Sequence, residues 1–233
     1  ASSWLKYHHP GIFACALLNA QPMGFYAPAQ IVRDARAHGV QLRPICVNAS
    51  YWDNVMEPDG AGGLALRLGF RQIQAMREED VAWLTAARGN GYQDVDAVWR
   101  KAGVSPKMIQ ALAEADAFHS LGLSRREALW AAKAITAERP LPLFAQDLEG
   151  ENIAEDPAYL PQMTQGEEVV EDYVSMRMTL RAHPVALIRH RLTPGMGQSP
   201  AVPTILGASD YKKPDLLVKH RPTHSDSKLR LVR

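Results

Sequence analysis

Five basic residues lie next to two predicted helical hairpins, and their side chains could bind phosphate groups. Guanidinium and ammonium groups neutralise phosphate oxygens, and the N-termini of neighbouring helices add backbone N–H donors. Two such hairpins can follow the backbone of duplex DNA. The alternative is a helical packing module whose basic residues are solvated. The predicted DNA-binding residues are Arg71, Arg77, Lys107, Arg125 and Arg126.

The first predicted hairpin lies in the segment FRQIQAMREEDVAWLTAARGNG, residues 70–91. A short helix, a tight connection, a second helix and a glycine-rich exit form the outline of a helix-hairpin-helix, which usually binds phosphates through glycine amides. Its hairpin positions, Ala75-Met76-Arg77, contain no glycine, and the acidic residues 78–80 occupy the positive end of the next helix. We therefore expect this hairpin to be mainly structural, with most DNA contact made by Arg71, Arg77 and the second hairpin.

Helical periodicity continues over 70–136 and contains the hairpin arrangement twice. Ser105-Pro106 predicts an N-cap followed by proline at the first helical position. Ser124 and Glu127 form a capping-box pattern at the start of a later helix. The second hairpin is expected between these helices, at 116–123. The predicted helices cover 70–75, 78–88, 94–102, 105–114 and 124–136.

The N-terminal part mixes helices with short extended segments. Residues 1–7 have the pattern of the end of a helix, which favours a fragment of a longer protein. Pro10 and Pro28 each suit the first turn of a helix, so helices are predicted at 10–21 and 28–39. The other predictions here are an extended segment at 40–48, a hairpin at 51–63 and a strand containing Leu64, Leu66 and Leu68.

A short apolar run after the last of these helices is the second functional candidate. Leu141, Leu143 and Phe144 flank Pro142 and precede the stretch 145–175, which has nine acidic residues and no Lys or Arg. Extended Leu-Phe peptides stiffened by proline suit docking into an apolar pocket of a partner. The alternative is that Leu143 and Phe144 pack the linker onto the helical domain.

The C-terminal part reverses the charge balance. A helix is predicted at 167–180, and the net charge from residue 177 to the end is about +8. The tail from 193 onward is rich in Pro, Gly and Ser, so we expect it to be poorly ordered.

The sequence contains no recognisable catalytic or metal-binding motif. It has no glycine-rich phosphate loop, no Gly-x-Ser-x-Gly elbow and no acidic pair with metal-ligand spacing on a strand. No run of about 18 apolar residues predicts a membrane span. Cys15 and Cys46 have no metal-like spacing and predict no disulfide. Since a signal-peptide pattern is also missing, the expected location is the cytoplasm.

Five segments of the chain carry a resemblance to a known family. They are WLKYHHPGIFACALLNAQPMGFY, AHGVQLRPICVNASYWD, LALRLGFRQIQAMREED, LAEADAFHSLGLSRREALWA and GEEVVEDYVSMRMTLRAHPVA. In this order they resemble the C-terminal part of the bacterial C-family DNA polymerases, the class of the DNA polymerase III α-subunit. The runs QPMGFY and LRAHPVA are more similar to the error-prone branch than to the housekeeping replicase. The resemblance covers residues 1–192.

The resemblance implies a mainly α-helical chain with four regions. Residues 1–60 resemble the end of the fingers region, a small α/β segment, and residues 61–137 resemble a tandem helix-hairpin-helix that contacts duplex DNA. Residues 138–192 resemble a linker with a short helix, in which LPLF stands where family members carry, or have lost, a sliding-clamp-binding peptide. The irregular tail, 193–233, matches poorly and holds at most a truncated start of an oligonucleotide-binding barrel.

The resemblance also implies a function. The whole protein would be an error-prone DNA-directed DNA polymerase, a nucleotidyltransferase of DNA replication and damage repair that uses Mg²⁺ in a two-metal reaction. The family's catalytic aspartates belong to a region absent from this sequence, so we expect no catalytic, metal or cofactor site in the chain. Expected partners are duplex DNA, the sliding clamp and an accessory translesion-polymerase-like protein, with no membrane. The alternative is a non-catalytic DNA-binding or protein-interaction module.

Overall fold

The computed structural model describes residues 2–135 and 160–192, and this part of the chain is mainly helical, which confirms the predicted fold class. The linker residues 138–159, the tail 193–233 and the residues Leu141, Leu143 and Phe144 lie outside the described residues. The elements are α1 (Ser2–His8), α2 (Pro10–Asn19), α3 (Pro28–Ala37), β1 (Gln41–Arg43), β2 (Val55–Pro58), β3 (Leu64–Arg67), α4 (Glu78–Ala86), α5 (Val95–Ala102), α6 (Pro106–Glu114), α7 (Arg125–Ala134), α8 (Gln165–Met176) and α9 (Pro184–Leu192).

The chain divides into two units, Ala1–Ile188 and Arg189–Arg233. The first unit contains the sheet, the helices α1–α8 and most of α9. Of the second unit, the structure describes only the last residues of α9.

A small sheet follows α3 in the described part of the chain, with the strand order β1-β3-β2. The central strand β3 runs parallel to β1, with Leu66 opposite Leu42, and antiparallel to β2, with Leu66 opposite Met56. The antiparallel pair confirms the hairpin predicted around 51–63. Its turn is closed by Asp59, whose Oδ1 accepts the N–H groups of Ala61 and Gly63 at 2.7 and 2.8 Å.

One hydrophobic core runs through the described part of Ala1–Ile188, from α2 and α3 across β3 to the helices α4–α7. Its most deeply buried large side chains include Leu18, Leu66, Leu84, Ile109 and Phe118, each no more than 1% exposed. Their burial removes apolar surface from water, which stabilises the fold by about 25 cal/mol per Å² of that surface. The sheet and the helical hairpins therefore share one core.

Local signals explain where the helices of the hairpin region begin and end. The Asp94 carboxylate accepts the N–H of Ala97 at 2.6 Å, and the Ser105 hydroxyl accepts that of Met108 at 3.3 Å. The predicted capping box of Ser124 and Glu127 at the start of α7 is confirmed. Each cap satisfies backbone donors that the first helical turn leaves unpaired.

The prediction of a helix at 70–75 is wrong, because only a 3-10 turn, Phe70–Gln72, forms there. Ile73 is extended, with ψ of 129°, and its side chain is buried in the core. The N–H of Gln74 then donates to the carbonyl of Ser175 at 2.9 Å. This tertiary hydrogen bond replaces the local one that a helix would have made.

The C-terminal helices also differ from the sequence prediction of one helix at 167–180. Thr164 caps α8 with Glu167 in a second capping box, and Arg177 ends the helix in the left-handed conformation, with φ of 57°. A further helix, α9, begins at Pro184 and was not predicted. Proline at a first helical position was the signal that would have located it.

Candidate nucleic-acid interface

The first hairpin keeps the backbone shape of a glycine turn although it lacks glycine. Ala75 has φ of 59°, in the left-handed region that costs an L-residue about 1–2 kcal/mol. Its neighbour Gln74 is bound to the C-terminal end of α8. The Gln74 Nε2 donates to the carbonyl of Val174 at 2.5 Å, beside the backbone hydrogen bond to Ser175. Two hydrogen-bond donors of this hairpin are therefore already bound to α8.

Arg77 stands at the N-cap of α4. Among the four predicted DNA-binding arginines, its side chain is the most exposed. Its side chain is 73% exposed, and its Nε and Nη2 donate to Asp80 at 2.9 and 3.2 Å. A guanidinium has no acceptor, so Arg77 cannot cap the N–H groups of α4, and Glu78, Glu79 and Asp80 fill the first helical turn. A phosphate would have to compete with Asp80 for this guanidinium.

The second hairpin, residues 115–124, contains two left-handed residues, Asp116 and, two residues before the Ser124 N-cap of α7, Gly122 with φ of 75°. Asp116 has φ of 57°, and its Oδ2 accepts a hydrogen bond from Nη2 of Arg181 at 2.8 Å. Ala117 accepts the N–H of Val47 at 2.8 Å, which ties the turn to the segment after β1. The Asp116 carboxylate therefore forms an ion pair within the protein.

Arg125 is buried, which corrects the expectation that it lies at the hairpin surface. It is 1% exposed, and its Nη2 lies 2.5 Å from Oδ1 of Asp172, which is also 1% exposed. Its Nη1 donates to the carbonyl of Glu168 at 3.0 Å. A phosphate cannot reach this guanidinium in this structure. The physical reason is that α8 packs over the first turn of α7 and supplies the carboxylate that a buried cation requires.

The other three predicted residues differ in availability. Arg71 holds the carbonyls of Asn19 and Gln21 at 2.7 and 3.2 Å and is 21% exposed on its side chain. Arg126 is 34% exposed and is bound to the carbonyl of Pro161 and to Glu167. Lys107, in the first turn of α6, is exposed and has no ion-pair partner among the residues described.

The structure brings together a charged cluster that the sequence reasoning missed. Asp172 accepts hydrogen bonds from Arg125, from Arg181 at 2.9 and 3.0 Å, and from the hydroxyl of Thr179 at 2.5 Å. Burial lowers the pKa of Arg181, but its bonds to Asp116 and Asp172 outweigh this and raise the pKa above its usual value. Asp172 lies on the buried face of α8, three residues after Val169. A buried carboxylate requires a partner, so an acidic residue at this helical spacing was the sequence signal for such a cluster.

Two kinds of site are not found in residues 2–135 and 160–192. No three His, Cys, Asp or Glu side chains there form a group that would hold a metal ion. No helix in this part of the chain is long and apolar enough to cross a membrane.

Comparison with known proteins identifies the motif and its relatives. Residues 39–128 match the helix-hairpin-helix motif family. The chain is 66% identical over 195 residues to an error-prone DNA polymerase of Ruegeria pomeroyi, covering 84% of this chain and 18% of the relative. It is 52% identical over 200 residues to error-prone DNA polymerase 2 of Rhizobium meliloti, covering 82% of this chain, and 51% identical over 201 residues to error-prone DNA polymerase 3 of Agrobacterium fabrum, covering 83%.

The chain spans 18% of the length of each of these three relatives. The similarity agrees with the resemblance found in the sequence segments and with its error-prone branch. Over most of its length, the chain is thus homologous to a segment of the error-prone DNA polymerases and contains a helix-hairpin-helix motif.

Proposed function

We propose that this chain is the part of an error-prone DNA polymerase that binds duplex DNA during template-directed synthesis across damaged template. The whole protein would act in DNA replication and repair in the cytoplasm. The observation that carries the proposal is the helix-hairpin-helix match at 39–128 inside a segment 66% identical to an error-prone polymerase. Such motifs bind the phosphate backbone without reading base sequence.

The exposed cations define the proposed contact surface. Arg77 and Lys107 present their charge to solvent at the starts of α4 and α6, and the N-terminus of α6, which has no acid in its first turn, also favours an anion. Arg126 adds charge at α7. Arg71 and Arg125 support this surface from within, because their guanidinium groups are bound to neighbouring protein groups.

The test of DNA binding is fluorescence anisotropy with a labelled duplex at several salt concentrations. We expect the affinity to fall steeply with salt, and the slope of log K against log salt to lose about 1 for each phosphate contact removed. Arg77→Glu and Lys107→Glu should each weaken binding of all duplex sequences alike. Arg33→Glu, which reverses an exposed charge on α3, is the control. Absence of binding at low salt, or an equal effect of the control, refutes the proposal.

The polymerase reaction itself is assigned to the rest of the protein. DNA-directed DNA polymerases of this class use Mg²⁺ in a two-metal transfer of a nucleotide. The described residues of this chain offer no ligand group for such an ion, so no step of the reaction is assigned to them. We expect no primer extension by the purified chain with Mg²⁺ or Mn²⁺. Incorporation of nucleotides that follows the chain through purification would refute this assignment.

A second proposed function is partner docking by Leu141, Leu143 and Phe144. The sequence observation behind it is an apolar, proline-containing run between a helix and an acidic stretch. The proposed partners are the sliding clamp and an accessory translesion-polymerase-like protein. Leu143→Ala with Phe144→Ala should abolish capture of a purified sliding clamp, whereas Leu160→Ala, outside the run, should not. Equal capture by both variants, or none by the wild type, refutes docking through this run.

A further inference from the structure

We propose that α8 and the turn after it form a brace that sets the spacing of the two hairpins, with Asp172 and Arg181 as positioning residues. The brace is defined as residues 165–181. The inference rests on the proposed function, since spacing matters only if both hairpins bind one duplex. Neither residue is assigned a contact with DNA.

The C-terminal end of the brace holds the first hairpin. The carbonyl of Ser175 accepts the backbone N–H of Gln74, and the carbonyl of Val174 accepts its side-chain amide. The Nε of Arg177 donates a hydrogen bond to Oε1 of Gln74 at 3.3 Å. Both ends of the Gln74 amide and its backbone donor are therefore committed to the brace, immediately before the left-handed turn at Ala75.

The charged cluster of the brace holds the second hairpin. Arg181 joins Asp172 to Asp116 at the turn, with 2.8 Å between its Nη2 and the Asp116 carboxylate. Asp172 also holds Arg125 in the first turn of α7, at the other end of the same hairpin. Glu168 adds a carboxylate 3.1 Å from Arg181. The brace therefore contacts the second hairpin on both of its sides.

A rigid link between two weak binding units raises the affinity of the pair. Once the first unit is bound, the second meets its phosphates at a high effective concentration, provided that the geometry allows both to bind together. Charge-assisted hydrogen bonds are directional and the Asp172 carboxylate is buried, so the cluster specifies one arrangement of α8 on α7. A change that loosens the brace should therefore weaken DNA binding without removing any DNA contact.

The first experiment compares Asp172→Asn with Glu171→Gln in the full 233-residue chain. Both variants remove one negative charge from the same helix, but the Glu171 side chain makes no hydrogen bond or ion pair with either hairpin in the described structure. Loss of a negative charge alone strengthens attraction to DNA. We expect Glu171→Gln to bind duplex at least as well as wild type and Asp172→Asn to bind about tenfold more weakly, measured well below the unfolding temperature of each variant.

The second measurement is hydrogen exchange at the backbone amide of Gln74. Asp172 lies on the second-hairpin side of the brace, so faster exchange at Gln74 in Asp172→Asn would report that the two hairpins are coupled through α8. A purely local role of Asp172 would leave Gln74 unchanged. If Asp172→Asn does not fold, Thr179→Val removes one hydrogen bond to Asp172 without a charge change, and we expect about a twofold loss of affinity with faster exchange at Gln74.

The outcomes separate the brace from the proposed function. Weaker duplex binding together with faster Gln74 exchange supports the brace. Weaker binding without faster Gln74 exchange, or faster exchange without weaker binding, overturns the brace. Equal duplex binding by Asp172→Asn and Glu171→Gln also overturns it. If the wild-type chain binds no duplex, the proposed function fails, and exchange at Gln74 alone then decides whether α8 couples the hairpins.

Discussion

Both hairpins contain a left-handed residue that is not glycine, but their relations to the rest of the protein are opposite. Ala75 and Asp116 have φ values of 59° and 57°, so each is a left-handed residue where glycine would be unstrained. The cation after the first turn, Arg77, is exposed and pairs with an acid in its own helix. The cation after the second turn, Arg125, is buried and pairs with α8. A left-handed residue in the turn therefore does not decide whether a following arginine can meet a phosphate.

The difference follows from what packs on each hairpin. The second hairpin lies beneath α8, which supplies Asp172 and excludes water from Arg125. The first hairpin meets α8 at its C-terminal end, where the carbonyls of Val174 and Ser175 bind Gln74 and Arg77 stays in solvent. An isolated hairpin pattern in a sequence contains no information about this covering helix.

The largest expected difference between the hairpins is in stability after removal of each arginine. Arg125→Met leaves Asp172 as a buried charge with fewer partners and should lower the free energy of unfolding by about 3–5 kcal/mol. Arg77→Met removes an exposed pair and should change it by less than about 1 kcal/mol. Denaturant unfolding followed by circular dichroism measures both. Equal losses would contradict the assignment of a buried and an exposed cation.

Glycine substitution at the two turns should have effects of opposite sign. Asp116→Gly relieves the left-handed strain but removes the bond to Arg181, and a charged hydrogen bond is worth about 1.5–3 kcal/mol, so we expect a net loss of stability. Ala75→Gly relieves the same strain with no lost contact and should raise the free energy of unfolding by about 0.5–1 kcal/mol. Thermal unfolding of the two variants tests this; a gain at both turns would mean that the Arg181 contact contributes little.

The helix after the second hairpin should depend on its cap, and the serine in the preceding turn provides a control. Ser124→Ala removes the hydroxyl of the capping box and should lower the free energy of unfolding by about 1 kcal/mol. Ser120→Ala changes an exposed serine that caps no helix in the described structure and should have little effect. The comparison is made by denaturant unfolding, and equal losses would rule out the cap as the cause.

The smallest expected effect is the pH dependence of the same cap. The Ser124 hydroxyl and backbone N–H donate to the Glu127 carboxylate and hold its pKa below the usual value. The resulting stabilisation is complete above the ordinary glutamate pKa and is lost as pH falls through the lowered folded value. The difference in free energy of unfolding between wild type and Glu127→Gln should therefore shrink between about pH 6 and about pH 3. A difference independent of pH would contradict this.

Several elements were predictable because their signals are local. Ser105-Pro106 and the Ser124–Glu127 pair located the starts of α6 and α7, and the hairpin of β2 and β3 was expected from turn residues. The helix at 70–75 was predicted wrongly because Ile73 and Gln74 bind partners that are distant in sequence. DNA contact by Arg77, Lys107 and Arg126 remains a prediction, as does the support of that surface from within by Arg71.

The sequence by itself determined the helical class, the N-caps of α6 and α7, the order of the two hairpins along the chain and the family resemblance, since these depend on residue types at short spacing. Only the tertiary structure decided which cations are available. Asp172, the partner of Arg125, is 47 residues away in the chain, and Val174, a partner of Gln74, is 100 residues away. A buried charge is tolerated only beside its counter-charge, and which carboxylate takes that place depends on how α8 packs against α7.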